Sequence, residues 1–171
     1  MVCTANVCRS PMAAALLTQH CNELGLEVVV GSAGVQAHDL PVDPDAVAAM
    51  AEYGLDISAH RPRRFDRNLL GESGLVITMT RDHLRTVATT VPGVLRRSFT
   101  AKELARRLTT LETLDLEELN AGRSARDLMG NDPTDDVADP YGQSLQLHRQ
   151  CAAELDEPMR VIAHALVGLE S

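Results

Sequence analysis

Cys3 and Arg9 stand six positions apart in the run Cys3-Thr4-Ala5-Asn6-Val7-Cys8-Arg9-Ser10, separated by small or short side chains and followed at once by Pro11 and a helical pattern. A loop between a strand end and a helix start can turn its backbone N–H groups inward. The helix dipole adds positive potential there, so such a run is suited to hold an anion. A sulfur at the base of that cradle is placed to act as the thiolate, the form that attacks electrophiles. Arg9 supplies a planar fork that grips two phosphoryl oxygens at once and holds them more tightly as they gather charge in a transition state. The chemistry on offer is nucleophilic displacement at phosphorus. A packed cysteine beside a surface arginine is the plain alternative; spacing alone favours it, and the Ser10-Pro11 helix start brings the two readings level.

The elements that must position this loop follow from punctuation and periodicity. Val28-Val29-Val30, closed by Gly31-Ser32-Ala33-Gly34, and Leu75-Val76-Ile77-Thr78-Met79 have the length and β-branched content of buried strands, and residues 94–99 make a third. Between them lie helices. Ser10-Pro11 opens one with apolar positions at Ala13, Leu17, Cys21 and Leu24, which Gly25 stops, and Asp43-Pro44 opens another that Gly54 ends. Thr100-Ala101-Lys102-Glu103 has capping-box form. A last helix carries Leu145, His148, Ala152, Leu155, Met159, Ile162 and Leu166 on one face, with Pro158 expected to kink or split it. Strands alternating with helices predict parallel βαβ units in an open α/β sheet with helices on both faces. Residues 108–138, acidic and interrupted by Gly122 and Gly130, read as a short helix and a solvated, mobile connector.

With 171 residues, 44% of them hydrophobic, the chain suits a single domain. Two Tyr, two Phe and no Trp leave few candidates for an aromatic pocket wall. Sixteen Lys and Arg against 24 Asp and Glu give a formal charge of -8, which repels nucleic acid and anionic membranes, so positive potential has to be concentrated locally. No apolar run reaches membrane-span length and no secretory pattern opens the chain, which predicts a cytoplasmic protein. In that compartment thiols are reduced, and the spacing of Cys3, Cys8, Cys21 and Cys151 fits no zinc pattern. Cys21 and Cys151 sit at apolar helical positions and read as packing groups. His20, His83, His148 and His164 read as structural or solvated.

The run from Val2 to Ala13 closely resembles the phosphate-binding loop of the low-molecular-weight protein tyrosine phosphatase family, and Asp139-Pro140-Tyr141-Gly142 resembles that family's acid loop. Both motifs stand in the family's order, at opposite ends of a chain of the right size. The resemblance implies an open parallel four-stranded sheet of the phosphatase I-like, Rossmann-like kind. It also implies hydrolysis of phosphotyrosine, or a related phosphomonoester, on a phosphorylated protein. Cys3 would form a phosphocysteine, Arg9 would clamp the phosphate, and Asp139 would protonate the leaving oxygen and then assist water. Thr4, Ala5, Asn6, Val7, Cys8 and Ser10 would complete the loop, Ser32 and His60 would support it, and Tyr141 and His38 would flank the pocket. No metal or cofactor is implied. Cys8 takes the place of the family's second loop cysteine, which can shield the nucleophile by a reversible disulfide; a passive packed thiol remains open beside that role.

The sequence departs from the family pattern in places. Only Met1 and Val2 precede Cys3, where the family has a central strand of about five residues, so an apolar strand upstream is expected in the natural coding sequence. Ala5 replaces a frequent glycine, Ala14 a frequent acid, and His38 a frequent aromatic residue. Two rival readings stand beside the phosphatase. An arsenate reductase of the same fold needs resolving cysteines after the strand at 75–79, and residues 80–100 contain none. A non-catalytic phosphate binder has no use for Asp139.

Overall fold

The computed structural model describes residues 1–36, 40–111, 114–124, 130 and 133–169. Its centre is a four-stranded parallel sheet in the order β2-β1-β3-β4, formed by β1 (Val2–Cys3), β2 (Ala33–Gly34), β3 (Val76–Thr78) and β4 (Ser98–Thr100). Side chains alternate across the pleat: Val2 and Val76 enter one apolar cluster with Phe65, Leu70, Val87 and Val94, whereas Cys3, Ile77 and Phe99 enter the other. Helices therefore cover both faces. On the first lie α3 (Arg67–Glu72) and α4 (Arg81–Thr90); on the second lie α1 (Arg9–Glu23), α5 (Ala101–Leu111) and the last helix, α7 (Leu145–Leu166). Two further helices, α2 (Pro44–Ala51) and α6 (Leu116–Asn120), complete the set among the described residues.

Local signals explain the helix ends. Asp43 caps α2 by accepting from the N–H groups of Asp45 and Ala46. Gly25 and Gly54, both at positive φ, end α1 and α2; the next residue's amide reaches back in each case, Leu26 to Cys21 O and Leu55 to Met50 O. Thr100 Oγ1 accepts from the Glu103 amide, as a capping box requires. Glu103 does not complete the box: fully buried, its carboxylate takes Arg81, Arg107 and Arg123 instead. Met12, Leu16, Leu155, Met159 and Ile162 are fully buried where α1 and α7 meet, at about 1.5–3 kcal/mol for each such side chain.

Three expectations need correction. The run at 28–30 is not a strand: Val29 is fully exposed, and the chain joins the sheet only at Ala33–Gly34, where Ala33 N bonds Met1 O. A strand is defined by its partner, and β1 offers its ladder only opposite residues 33 and 34. Of residues 94–99, most belong to a 3-10 helix (Pro92–Arg97), and β4 begins at Ser98. Helix α7 is not split at Pro158 but runs through it, with Pro158 itself buried; packing against α1, α2 and α5 offsets the roughly 3 kcal/mol that an interior proline costs.

Candidate active site

From β1 the chain crosses to β2 on one side of the sheet and later returns to β3 on the other, so the carboxyl end of β1 is a topological switch point, where open α/β sheets bind ligands. Residues 3–9 lie there. Helix α1 starts at Arg9 with no side chain capping it at Cys8, which leaves its first-turn N–H groups directed at the loop.

Asn6 sets the loop's shape. It is fully buried at φ 61°, a left-handed conformation that asparagine tolerates better than most residues. Every polar group it carries is engaged. Its amide donates to Cys3 Sγ at 3.2 Å, and Nδ2 donates to Ser10 Oγ at 2.8 Å and to Ser32 Oγ at 2.9 Å. Oδ1 accepts from Arg63 N at 3.0 Å, and its carbonyl accepts from His60 Nε2 at 2.9 Å. A carbonyl only accepts, so Nε2 of His60 carries the hydrogen; burial lowers that imidazole's pKa. Ser10 Oγ, already an acceptor from Asn6, is free to donate to Cys3 Sγ at 3.0 Å. Two donors thus converge on a sulfur only 2% exposed.

Arg9 lies across the loop, 4% exposed. Nη1 donates to Val137 O at 3.2 Å, and Nη2 donates to Thr4 Oγ1 at 3.1 Å and pairs with Asp139 Oδ2. Asp139 Oδ1 accepts from Tyr141 N at 3.2 Å. Cys3, Thr4, Ala5, Val7, Cys8, Arg9, Asp139 and Tyr141 line one cavity of about 260 Å3, joined by Leu40. Of the residues singled out by sequence, these meet at the cavity, Asn6, Ser10, Ser32 and His60 stand behind it, and His38 lies outside the described residues. Burial first, then the negative charge of Asp43, push the Cys8 thiol up, as suits a packed group. Cys151 is pushed up to about 12, again chiefly by burial.

Several supports carry no sequence signal of their own. A Cβ on Gly34 would stand 2.7 Å from Thr4 O and 3.0 Å from the Ala5 carbonyl carbon, so only glycine lets β2 lie against the loop. Gly34→Ala is expected to displace the loop and lower kcat/KM on p-nitrophenyl phosphate about 100-fold, the scale of a 1 Å misplacement. Unchanged kinetics in a folded variant would show that the loop does not depend on this contact.

Within the acidic stretch before Asp139, residues 135–137 are anchored to the fold. Asp135 is 2% exposed and pairs with Arg81 and Arg106; burial opposes its charge, yet these two cations hold its carboxyl below the ordinary range. Asp136 accepts from Arg81 N at 2.7 Å through Oδ1 and from Lys102 Nζ at 2.7 Å through its carbonyl. Val137 N bonds Met79 O at 2.8 Å, extending the line of β3. These bonds fix the base of the turn that carries Asp139.

His83 is the other unforeseen support. It is 5% exposed; Nε2 meets Thr4 Oγ1 at 2.9 Å and Nδ1 meets Thr80 Oγ1 at 3.0 Å. Burial, then the charge of Arg9, depress it from 6.5 to about 4, so it is neutral at pH 7. The unfolded chain therefore binds the extra proton first as pH falls. Stability should drop between about pH 6.5 and pH 4 and level off below, by about 3 kcal/mol from this group. Urea midpoints measured across that window should fall less steeply for His83→Gln than for wild type; parallel curves would remove His83 from the account.

This fold and site define a phosphate-handling α/β enzyme with a cysteine in its loop. Residues 1–117 match the family model described as low molecular weight phosphotyrosine protein phosphatase. The chain belongs to that family, whose members are cysteine-dependent phosphatases. Over 80 residues it is 44% identical to the probable low molecular weight protein-tyrosine-phosphatase EpsP of Ralstonia solanacearum, covering 46% of this chain and about half, 52%, of that protein. It is 31% identical over 166 residues to the protein-arginine-phosphatase of Bacillus subtilis, covering 96% of this chain and 93% of that one. An arsenate reductase of Bacillus subtilis is 37% identical over 130 residues, covering 76% and 87%. Among solved structures, the YwlE arginine phosphatase, as a cysteine-to-serine mutant with a phosphorylated active-site serine, superposes with TM-score 0.77 at 30% identity, covering 97% of this chain and 93% of that one.

Proposed function

We propose that the protein hydrolyses phosphotyrosine on phosphorylated proteins through a phosphocysteine on Cys3. The observation that carries this reading is a nearly buried sulfur facing a cavity with Arg9 across it and Leu40 and Tyr141 on its walls. Phosphate would lie against the α1 N-terminus and the Arg9 fork, with Cys3 Sγ in line to attack phosphorus. The S–P bond forms as the P–O bond to the phenol breaks, and Asp139 passes a proton to the departing oxygen. Water then takes the phosphoryl group from sulfur, with Asp139 receiving its proton. A long, flat side chain suits a sulfur this deep, and a tyrosine ring can lie between Leu40 and Tyr141. No described helix is long and apolar enough to cross a membrane.

Phosphoarginine is the second reading, favoured by the match to an arginine phosphatase along nearly the whole chain. It changes the bond broken from P–O to P–N and leaves the roles of Cys3 and Arg9 as they are. The test is kcat/KM on one peptide sequence carrying either modification, with chelator present. A clear preference for phosphotyrosine is expected; preference for phosphoarginine would move the assignment to the second reading. Arsenate reduction coupled to thioredoxin should be absent, since residues 80–100 hold no cysteine to resolve a disulfide.

A further inference from the structure

Cys8 of the loop, Asp43 at the start of α2 and His148 on α7 place Sγ, a carboxylate oxygen and an imidazole nitrogen all within 4.8 Å of one another. No step of the phosphatase reaction uses Asp43 or His148. His148 is fully buried, and its Nδ1 lies 3.1 Å from Ser144 O. Because a carbonyl only accepts, Nδ1 carries a hydrogen, which leaves Nε2 as the ring atom open to a proton or a metal. That Nε2 has no hydrogen-bond partner among the described residues, and it faces Asp43 Oδ1 at 3.4 Å. An imidazole nitrogen and a carboxylate oxygen turned toward each other in a dry interior favour a positive centre between them, a proton or a metal cation.

We propose that Cys8, Asp43 and His148 form a binding site for a zinc-class divalent cation. The ligand set of thiolate, carboxylate and imidazole is one zinc accepts, with a fourth position left for water. Ligand atoms around a tetrahedral zinc stand roughly 3.3–3.8 Å apart, so small side-chain rotations close the site. The surrounding bonds are those a metal ligand needs. The Nδ1–H of His148 is held by a backbone carbonyl, which fixes tautomer and ring orientation. Asp43 Oδ1 accepts from Asp45 N at 2.9 Å, and the Asp43 amide donates to Val7 O at 3.0 Å, fastening the carboxylate beside the loop.

Charge balances. One thiolate and one carboxylate neutralise a dication, and the thiol proton leaves to solvent as the metal–sulfur bond forms. The carboxylate that disfavours a bare Cys8 thiolate favours one bound to a cation. Cys8 also borders the phosphate cavity, which gives an ion a way in.

The test uses full-length Cys3→Ser protein, so that the loop nucleophile cannot contribute, titrated with Co2+ as a spectroscopic probe. One equivalent should bind with a thiolate-to-cobalt charge-transfer band in the near ultraviolet, and Zn2+ should displace it. In the Cys3→Ser background the band should vanish with Cys8→Ser, and Co2+ affinity should fall at least about 100-fold with His148→Leu. Asp43→Asn, which keeps the helix cap, should weaken binding at least about 10-fold and carries the test if His148→Leu fails to fold by circular dichroism. No band in the Cys3→Ser protein, a band that survives loss of Cys8, or affinity indifferent to both other changes overturns the site. None of these outcomes depends on whether the wild type is a phosphatase.

Discussion

Cys3→Ser is expected to lower turnover of p-nitrophenyl phosphate by at least about 10,000-fold, the scale seen when an enzyme loses its attacking atom. Two donors, the Asn6 amide at 3.2 Å and Ser10 Oγ at 3.0 Å, converge on the position of the sulfur and hold it in the loop. A serine oxygen in the same place keeps those bonds but remains a weakly nucleophilic hydroxyl at neutral pH. Binding should survive, because Arg9, the loop amides and the α1 N-terminus are untouched. Inorganic phosphate should therefore displace a fluorescent phosphopeptide from the variant about as well as from wild type. Measurable hydrolysis by the serine protein, or loss of phosphate binding along with activity, would overturn the proposed role of Cys3 as nucleophile.

The second large effect belongs to Asp139. Asn at this position can still accept from Tyr141 N and face Arg9, but has no acidic proton to give. The kcat should fall about 100- to 10,000-fold on a phenyl phosphate, the usual worth of a general acid. The deficit should shrink as the leaving phenol becomes more acidic, because a good leaving group departs without a proton. That slope separates two jobs. Asp139 also pairs with Arg9, and if its role were only to hold the guanidinium, the loss would be the same for every leaving group and would appear in KM as well.

Local chemistry made much of this molecule legible. Ser10-Pro11 and Gly25 bound α1 because capping and termination are decided within a few residues, and the same holds for Asp43-Pro44 and Gly54 around α2. The run from Cys3 to Ser10 could be picked out because the loop that lines the cavity is one continuous stretch. What could not be read depends on distant partners. Residues 28–30 have strand composition, yet the strand forms where β1 can pair with it. Asp135 looked like one acid among many in a polar stretch; it is buried because Arg81, far away in the chain, meets it. His83 reaches Thr4 across 79 positions, and Arg63 offers Asn6 a backbone amide, for which side-chain identity gives no clue. His148 looked like a core residue at helical spacing, and only the fold shows what its Nε2 faces.

The ion pairs behind Asp139 have a consequence for motion. Asp135 is clasped by cations from α4 and α5, and Asp136 by an α4 amide and an α5 lysine, so the turn that carries Asp139 cannot swing out unless several charges are uncovered together. Such an opening is cooperative and rare, and amide hydrogens at the base of the turn should exchange with solvent almost as slowly as those of the central strands. Asp139 thus rides on a fixture instead of a gate, and a proton donor placed there would keep its position from one turnover to the next.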